Sequence, residues 1–186
     1  EPDFINGSSS VNSKAIRDKA IQFIREALDV AAELGTDKVT CCPLSDGYDY
    51  LFQMNYREAW HNMVSTFKEA ACHRRDIQLF LEYKSSETRV RCFLDSAARA
   101  LCMVRDINEP NIGITMDFGH SLLSGENPAE SICLMHESGV PYYIHINDND
   151  GKGDWDLIPA TRNLWSYLEM LFYLKELGYS GWVTSD

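Results

Sequence analysis

Residues 112–120 read Ile-Gly-Ile-Thr-Met-Asp-Phe-Gly-His, and this stretch decides the fold. A short, mostly apolar run stops at a carboxylate, Asp117, and His120 follows three positions later. A run of that length between helical segments reads as a strand buried on both faces. Helical segments do flank it. One pattern lies near residues 94–106, and Asn127-Pro128-Ala129-Glu130 starts another with a capping residue, a first-turn proline and a glutamate three after the cap. The alternation continues outward. Ile16, Ala20, Phe23, Ala27, Ala31 and Leu34 recur at helical spacing, and Gly35 stops that helix. Residues 38–42 read as a strand closed by Pro43, about 56–72 as a helix, and 77–82 as a strand ending at Glu82. A strand at 142–146 carries His145. A helix over about 161–177 stops at Gly178, and a strand at 181–185 precedes Asp186. Residues 3–6 read as the end of a further strand.

Apolar strands alternating with helices imply a parallel sheet covered by helices. That leaves an open doubly wound sheet or a (β/α)8 TIM barrel, both α/β. A barrel has eight strands and typically ~250 residues. As a barrel, residues 1–186 form a single partial domain covering about the last five to six βα units.

Composition narrows the class. Apolar residues are 45% and charged residues 24%, ordinary globular values. No apolar run approaches the ~18 residues of a membrane span, and the N-terminus lacks a signal pattern; a cytoplasmic protein with no membrane partner is expected. A net charge of −11 disfavours a nucleic-acid partner. The six cysteines lack zinc-finger spacing and read as buried free thiols in a reducing compartment, although Cys41-Cys42 closes a strand where a site could form. Gly151-Lys-Gly153 reads as a tight turn. His61, His73 and His136 fall in helix patterns and read as surface or packing residues.

The chemistry rests on one regularity. Four consecutive strands carry a potential ligand at or near the C-terminal end: Glu82, Asp117, His145 and Asp186. Sites form on that edge of parallel α/β folds. Singly, such a carboxylate is often a helix cap, and such a histidine a hydrogen-bonded core residue. Three carboxylates aimed at one axis repel unless a cation lies between them. Three oxygens and an imidazole suit a hard or borderline divalent ion: manganese first, then magnesium, zinc or cobalt. His120, Asp154 and Asp156 form a second layer that could hold another cation, with Asp117 bridging. Among the aromatics Tyr48, Tyr50, Phe52 and Trp155, Trp155 between two aspartates is the best candidate for the wall of such a site, while Trp165 reads as core.

Several motifs occur in a set order: Glu82-Tyr83-Lys84, Met116-Asp-Phe-Gly-His120, His145-Ile-Asn-Asp148, Asp154-Trp-Asp156, and Gly178-Tyr-Ser-Gly-Trp182 followed by Asp186. Together they resemble the xylose-isomerase-like TIM-barrel superfamily of sugar isomerases and epimerases, and within it the L-rhamnose-isomerase branch. Residues 46–53 are also similar to a loop of these sugar isomerases, and the resemblance runs from about residue 5 to 186. It implies that Glu82, Asp117, His145 and Asp186 hold a structural divalent metal, and that His120, Asp154 and Asp156 hold a catalytic one. It implies that Lys84 polarises the sugar near its reacting carbons, with Glu82, Lys84 and Asp186 catalytic and His120, Trp155 and Lys84 against the substrate. The implied activity is aldose–ketose isomerisation by a metal-assisted hydride shift, in a homo-oligomer. The alternatives are a ketose 3-epimerase using Glu82 and Asp186 as its two carboxylates, and a metal-binding but inactive barrel fragment. A DNA-repair endonuclease of the same barrel would need more than the five histidines present and a basic face.

Overall fold

The computed structural model describes residues 2–185. Five parallel strands form the main sheet: β1 (Lys38–Cys41), β3 (Gln78–Glu82), β5 (Ile112–Asp117), β6 (Tyr142–Ile146) and β7 (Val183–Ser185). Their spatial order is their chain order. A doubly wound sheet reverses direction at a switch point, whereas a barrel adds each strand beside the last. The unreversed order therefore selects an arc of a TIM-like barrel over the open sheet. The connecting helices are α1 (Lys14–Glu33), α2 (Tyr56–Ala71), α3 (Ala97–Ile107), α5 (Pro128–Glu137) and α6 (Leu164–Glu176). No helix among the described residues is long and apolar enough to cross a membrane.

The strand alternation divides two environments. One parity, including Leu79, Leu81, Ile112, Ile114, Met116 and Ile144, is buried in the main core with Leu28, Met63, Phe67, Met103, Ile132 and Met135 from the helices. Each such side chain contributes roughly 1.5–3 kcal/mol by leaving water. The other parity is mixed. Thr40 and Thr115 share a hydroxyl hydrogen bond at 2.5 Å, Tyr143 bonds Thr184, and the Phe80 and Tyr143 rings lie 5.7 Å apart. Gly113 leaves room for Phe80, because a Cβ there would sit 2.6 Å from the ring.

The helix starts follow local capping chemistry. Asn55 accepts from the Arg57 and Glu58 amides, Ser96 from Arg99, and Asn127 from Ala129, each satisfying first-turn donors. A separate clasp fixes the N-terminal segment. The fully buried Asp46 carboxylate accepts from the amide and hydroxyl of each of Ser8, Ser9 and Ser10, at 2.5–3.0 Å. Beside it, β2 (Gly47–Tyr48) pairs antiparallel with β4 (Arg91–Cys92).

Three expectations are corrected. Residues 3–6 contain no strand; Pro2–Phe4 form a 3-10 turn continued by bonds from the Ile5 and Gly7 amides to Pro2 and Phe4. Trp165 is 80% exposed rather than core, because α6 buries Met170 and Leu174 instead. The six cysteines are free, but only Cys92 is fully buried and Cys72 is exposed.

Candidate metal centre

The C-terminal ends of β3, β5 and β6 bring three ligand-type side chains together. Glu82 ends β3, Asp117 ends β5 and pairs with His145 of β6. Glu82 itself pairs with Thr115, so Asp117 lies two residues beyond it, the stagger that curves a sheet into a barrel. Ligand atoms of Glu82, Asp117 and His145 lie within 4.8 Å of one another, and all three residues are buried. His145 Nδ1 is 3.4 Å from a Glu82 oxygen.

A second group shares Asp117. The chain turns directly from β5 into the short helix α4 (Phe118–Leu123), and Asp117 caps it by accepting from the His120 amide at 2.7 Å. This cap places His120 over the strand ends. Its Nδ1 is 3.3 Å from Glu82 and 3.8 Å from Asp117, and its Nε2 is 2.9 Å from Asp154. Asp117, His120 and Asp154 also lie within 4.8 Å of one another. Lys84 reaches the same Asp154 oxygen at 2.7 Å and Glu87 at 2.7 Å.

This network fixes the charge states. Burial pushes the Asp154 carboxyl up, but the His120 and Lys84 contacts prevail and hold it at about 2. Burial pushes His120 down, and the surrounding Asp154, Asp117 and Glu82 outweigh that and raise it. Burial likewise opposes the Lys84 charge, and Asp154 and Glu87 hold its pKa above the ordinary value.

The loop after β6 is pinned by residues whose positioning roles are not evident from the sequence pattern. Buried Asp148 accepts from the amides of Asn149, Arg162 and Asn163 and from the Asn163 side chain. Asn147 donates to Asp117 at 3.0 Å and to Asp156 at 3.3 Å. Asn149 donates to the Gly119 carbonyl at 2.8 Å. A side chain at Gly119 would collide with Asn147 Oδ1 at 2.1 Å. The available signal was the polar run Asn147-Asp-Asn-Asp150, which is costly beside a buried strand end unless each group has a partner.

The structure brings together Glu82, Lys84, Asp117, His120, His145 and Asp154. It leaves Asp156 outside both donor groups: its backbone is left-handed (φ +45°), and it meets Asn147. Trp155 is 59% exposed, with its indole nitrogen donating to Asp150 at 2.8 Å. Asp186 lies outside the described residues. The donors fit a divalent cation. They are carboxylate oxygens and imidazole nitrogens, and two of them, His120 Nδ1 and Asp154 Oδ1, are buried without a hydrogen-bond partner.

Residues 4–186 match the family described as the xylose isomerase-like TIM barrel. The chain belongs to that family. Its relatives include an uncharacterised protein of Methanocaldococcus jannaschii, MJ1311, 32% identical over 183 residues, covering 96% of this chain and 59% of that protein. The xylose isomerase of Thermus thermophilus is 22% identical over 187 residues, covering 97% of this chain and 48% of the enzyme. Among solved structures, a D-tagatose 3-epimerase-like protein superposes with a TM-score of 0.83 at 28% identity, covering 97% of this chain and 66% of that one. The chain thus spans about half to two thirds of the proteins it matches. The barrel arc is therefore the family's architecture.

Proposed function

We propose that this protein is a metal-dependent sugar isomerase or epimerase, and that it moves hydrogen at a carbon beside the carbonyl of an open-chain sugar. The observation that carries this reading is the convergence of Glu82, Asp117 and His145 on one buried point. These three, joined by Asp186, would hold a divalent ion. When bound, the ion would polarise a sugar carbonyl and its neighbouring hydroxyl as a Lewis acid.

The favoured reaction is epimerisation by proton transfer. Glu82 would accept the carbon-bound proton, and Asp186 would return one on the opposite face. His120 and His145 flank Glu82 at 3.3 and 3.4 Å. Lys84 would donate to a substrate oxygen at the edge of the site. Two observations support this order of preference. Lys84 already neutralises Asp154, and Asn147 donates to Asp156, so two of the three expected outer ligands of the second cation site have other partners. The similarity to the D-tagatose 3-epimerase-like structure points the same way.

Aldose–ketose isomerisation by hydride shift is the second reading. The Asp117, His120 and Asp154 group favours it, since a hydride shift calls for a second ion. Turnover of a panel of ketohexoses and aldohexoses in deuterated water separates the two. Deuterium at the inverted carbon of the product supports epimerisation. Turnover without incorporation supports the hydride shift. A metal-loaded protein that converts none of the sugars rules out both.

A further inference from the structure

Cys42 follows the last residue of β1, and its thiol belongs to a third donor group that the sugar chemistry does not use. Cys42, Glu82 and His120 each offer an atom, and these lie within 4.8 Å of one another. The register explains why. Cys41 pairs with Leu81, so Cys42 falls one step further, opposite Glu82. Side chains alternate along a strand, which puts Cys42 on the parity of Thr40, facing the barrel axis. Cys41 takes the other parity and packs against the apolar core.

A lone thiol would mean little, but His120 adds an independent observation. The residue is 5% exposed, and its Nδ1 is buried with no hydrogen-bond partner, 3.3 Å from a Glu82 oxygen. His120 thus offers a buried nitrogen beside the same Glu82 carboxylate that groups with the thiol.

We propose that Cys42, Glu82 and His120 bind a thiophilic divalent ion of the zinc, cobalt or cadmium class. A sulfur, a nitrogen and a carboxylate oxygen match the donor preferences of such ions, whereas magnesium and manganese favour oxygen-rich sets. Binding replaces the thiol S–H bond with a sulfur–metal bond and releases that proton to water, together with the proton of His120 where the imidazole is protonated, with no change of oxidation state. Glu82 belongs to this set and to the set with Asp117 and His145, so the two sites compete. A thiophilic ion beside Cys42 withdraws Glu82 and His120 from the sugar centre and inhibits it; only this consequence rests on the proposed function.

The test titrates cobalt(II) into chelator-stripped wild-type and Cys42→Ser protein, alongside manganese(II) binding followed by electron paramagnetic resonance. The wild type should develop a thiolate-to-cobalt charge-transfer band in the near ultraviolet. The Ser variant should lack the band, bind zinc at least roughly tenfold more weakly, and bind manganese as the wild type does. Equal urea midpoints confirm that the variant is folded. Cobalt binding without the band, or a band that survives in Cys42→Ser, overturns the proposal. If manganese still binds in that case, the sugar centre stands and only the thiol site fails. If neither ion binds the wild type, both fail.

Discussion

Asp154→Asn should flatten the acid limb of this protein's stability curve. One Asp154 oxygen lies 2.7 Å from the Lys84 ammonium and 2.9 Å from His120 Nε2. Those contacts hold its carboxyl at about 2 against an ordinary 3.8. A depressed folded-state pKa gives stability that is fully present above the unfolded value and lost as the pH falls through the folded one. At about 1.4 kcal/mol per unit, the wild type should lose about 2 kcal/mol from this group as the pH falls from 5 to 2. His120 works in the opposite sense. Its folded pKa is raised above 6.5, so its contribution is present below that value and fades as the pH rises through the folded one. The assay is urea unfolding of both proteins in chelator, from pH 2.5 to 8, with slopes compared to confirm that the same surface is exposed. The variant should be less stable by about 2 kcal/mol at pH 5, and the two curves should converge toward pH 2. A gap that stays constant across the acid range would refute the ion-paired arrangement of Lys84, Asp154 and His120.

Other substitutions probe the supports of the same face. Lys84→Met removes the ammonium that neutralises Asp154, so divalent-ion affinity measured by calorimetric titration should rise, by roughly tenfold for about 1.4 kcal/mol of relieved competition; unchanged affinity contradicts that role. Gly119→Ala places a methyl 2.1 Å from Asn147 Oδ1 and 2.8 Å from Asn149 Nδ2. It should cost about 1–3 kcal/mol in urea unfolding and weaken ion binding, because Asn147 also supports Asp117. Asp46→Ala leaves the donors of Ser8, Ser9 and Ser10 without their shared acceptor, and should destabilise the protein by about 3 kcal/mol while leaving ion affinity near wild type.

The five strands of the main sheet were legible because they are short, mostly apolar runs that stop at a ligand-type or turn residue, whereas β2 and β4 are two residues each and carry no such pattern. That Glu82, Asp117 and His145 share one edge could be read for the same reason, since a parallel sheet fixes which strand ends lie together. What the sequence hid is what depends on packing or on a single backbone angle. α6 is apolar around much of its circumference, so nothing in its pattern distinguishes buried Met170 from exposed Trp165. Asp154 and Asp156, two apart, read as one carboxylate pair, but the left-handed turn at Asp156 sends the two side chains to different partners. The Asp-Phe-Gly-His run reads as a strand end followed by a ligand, and conceals that the same Asp117 carboxylate caps α4 and so orients His120. The features that set the L-rhamnose-isomerase branch apart include the terminal aspartate, Asp186, which lies beyond the described residues.

Convergence of the strand ends on a divalent ion is open to a calorimetric titration of manganese into chelator-stripped wild-type and Asp117→Asn protein. Asparagine keeps the helix cap and an acceptor for Asn147 while removing only the charge, so the fold is retained. The wild type should bind saturably, with an affinity at least roughly tenfold weaker in the variant. A wild type that binds no ion, or a variant that binds as tightly as the wild type, would contradict that convergence.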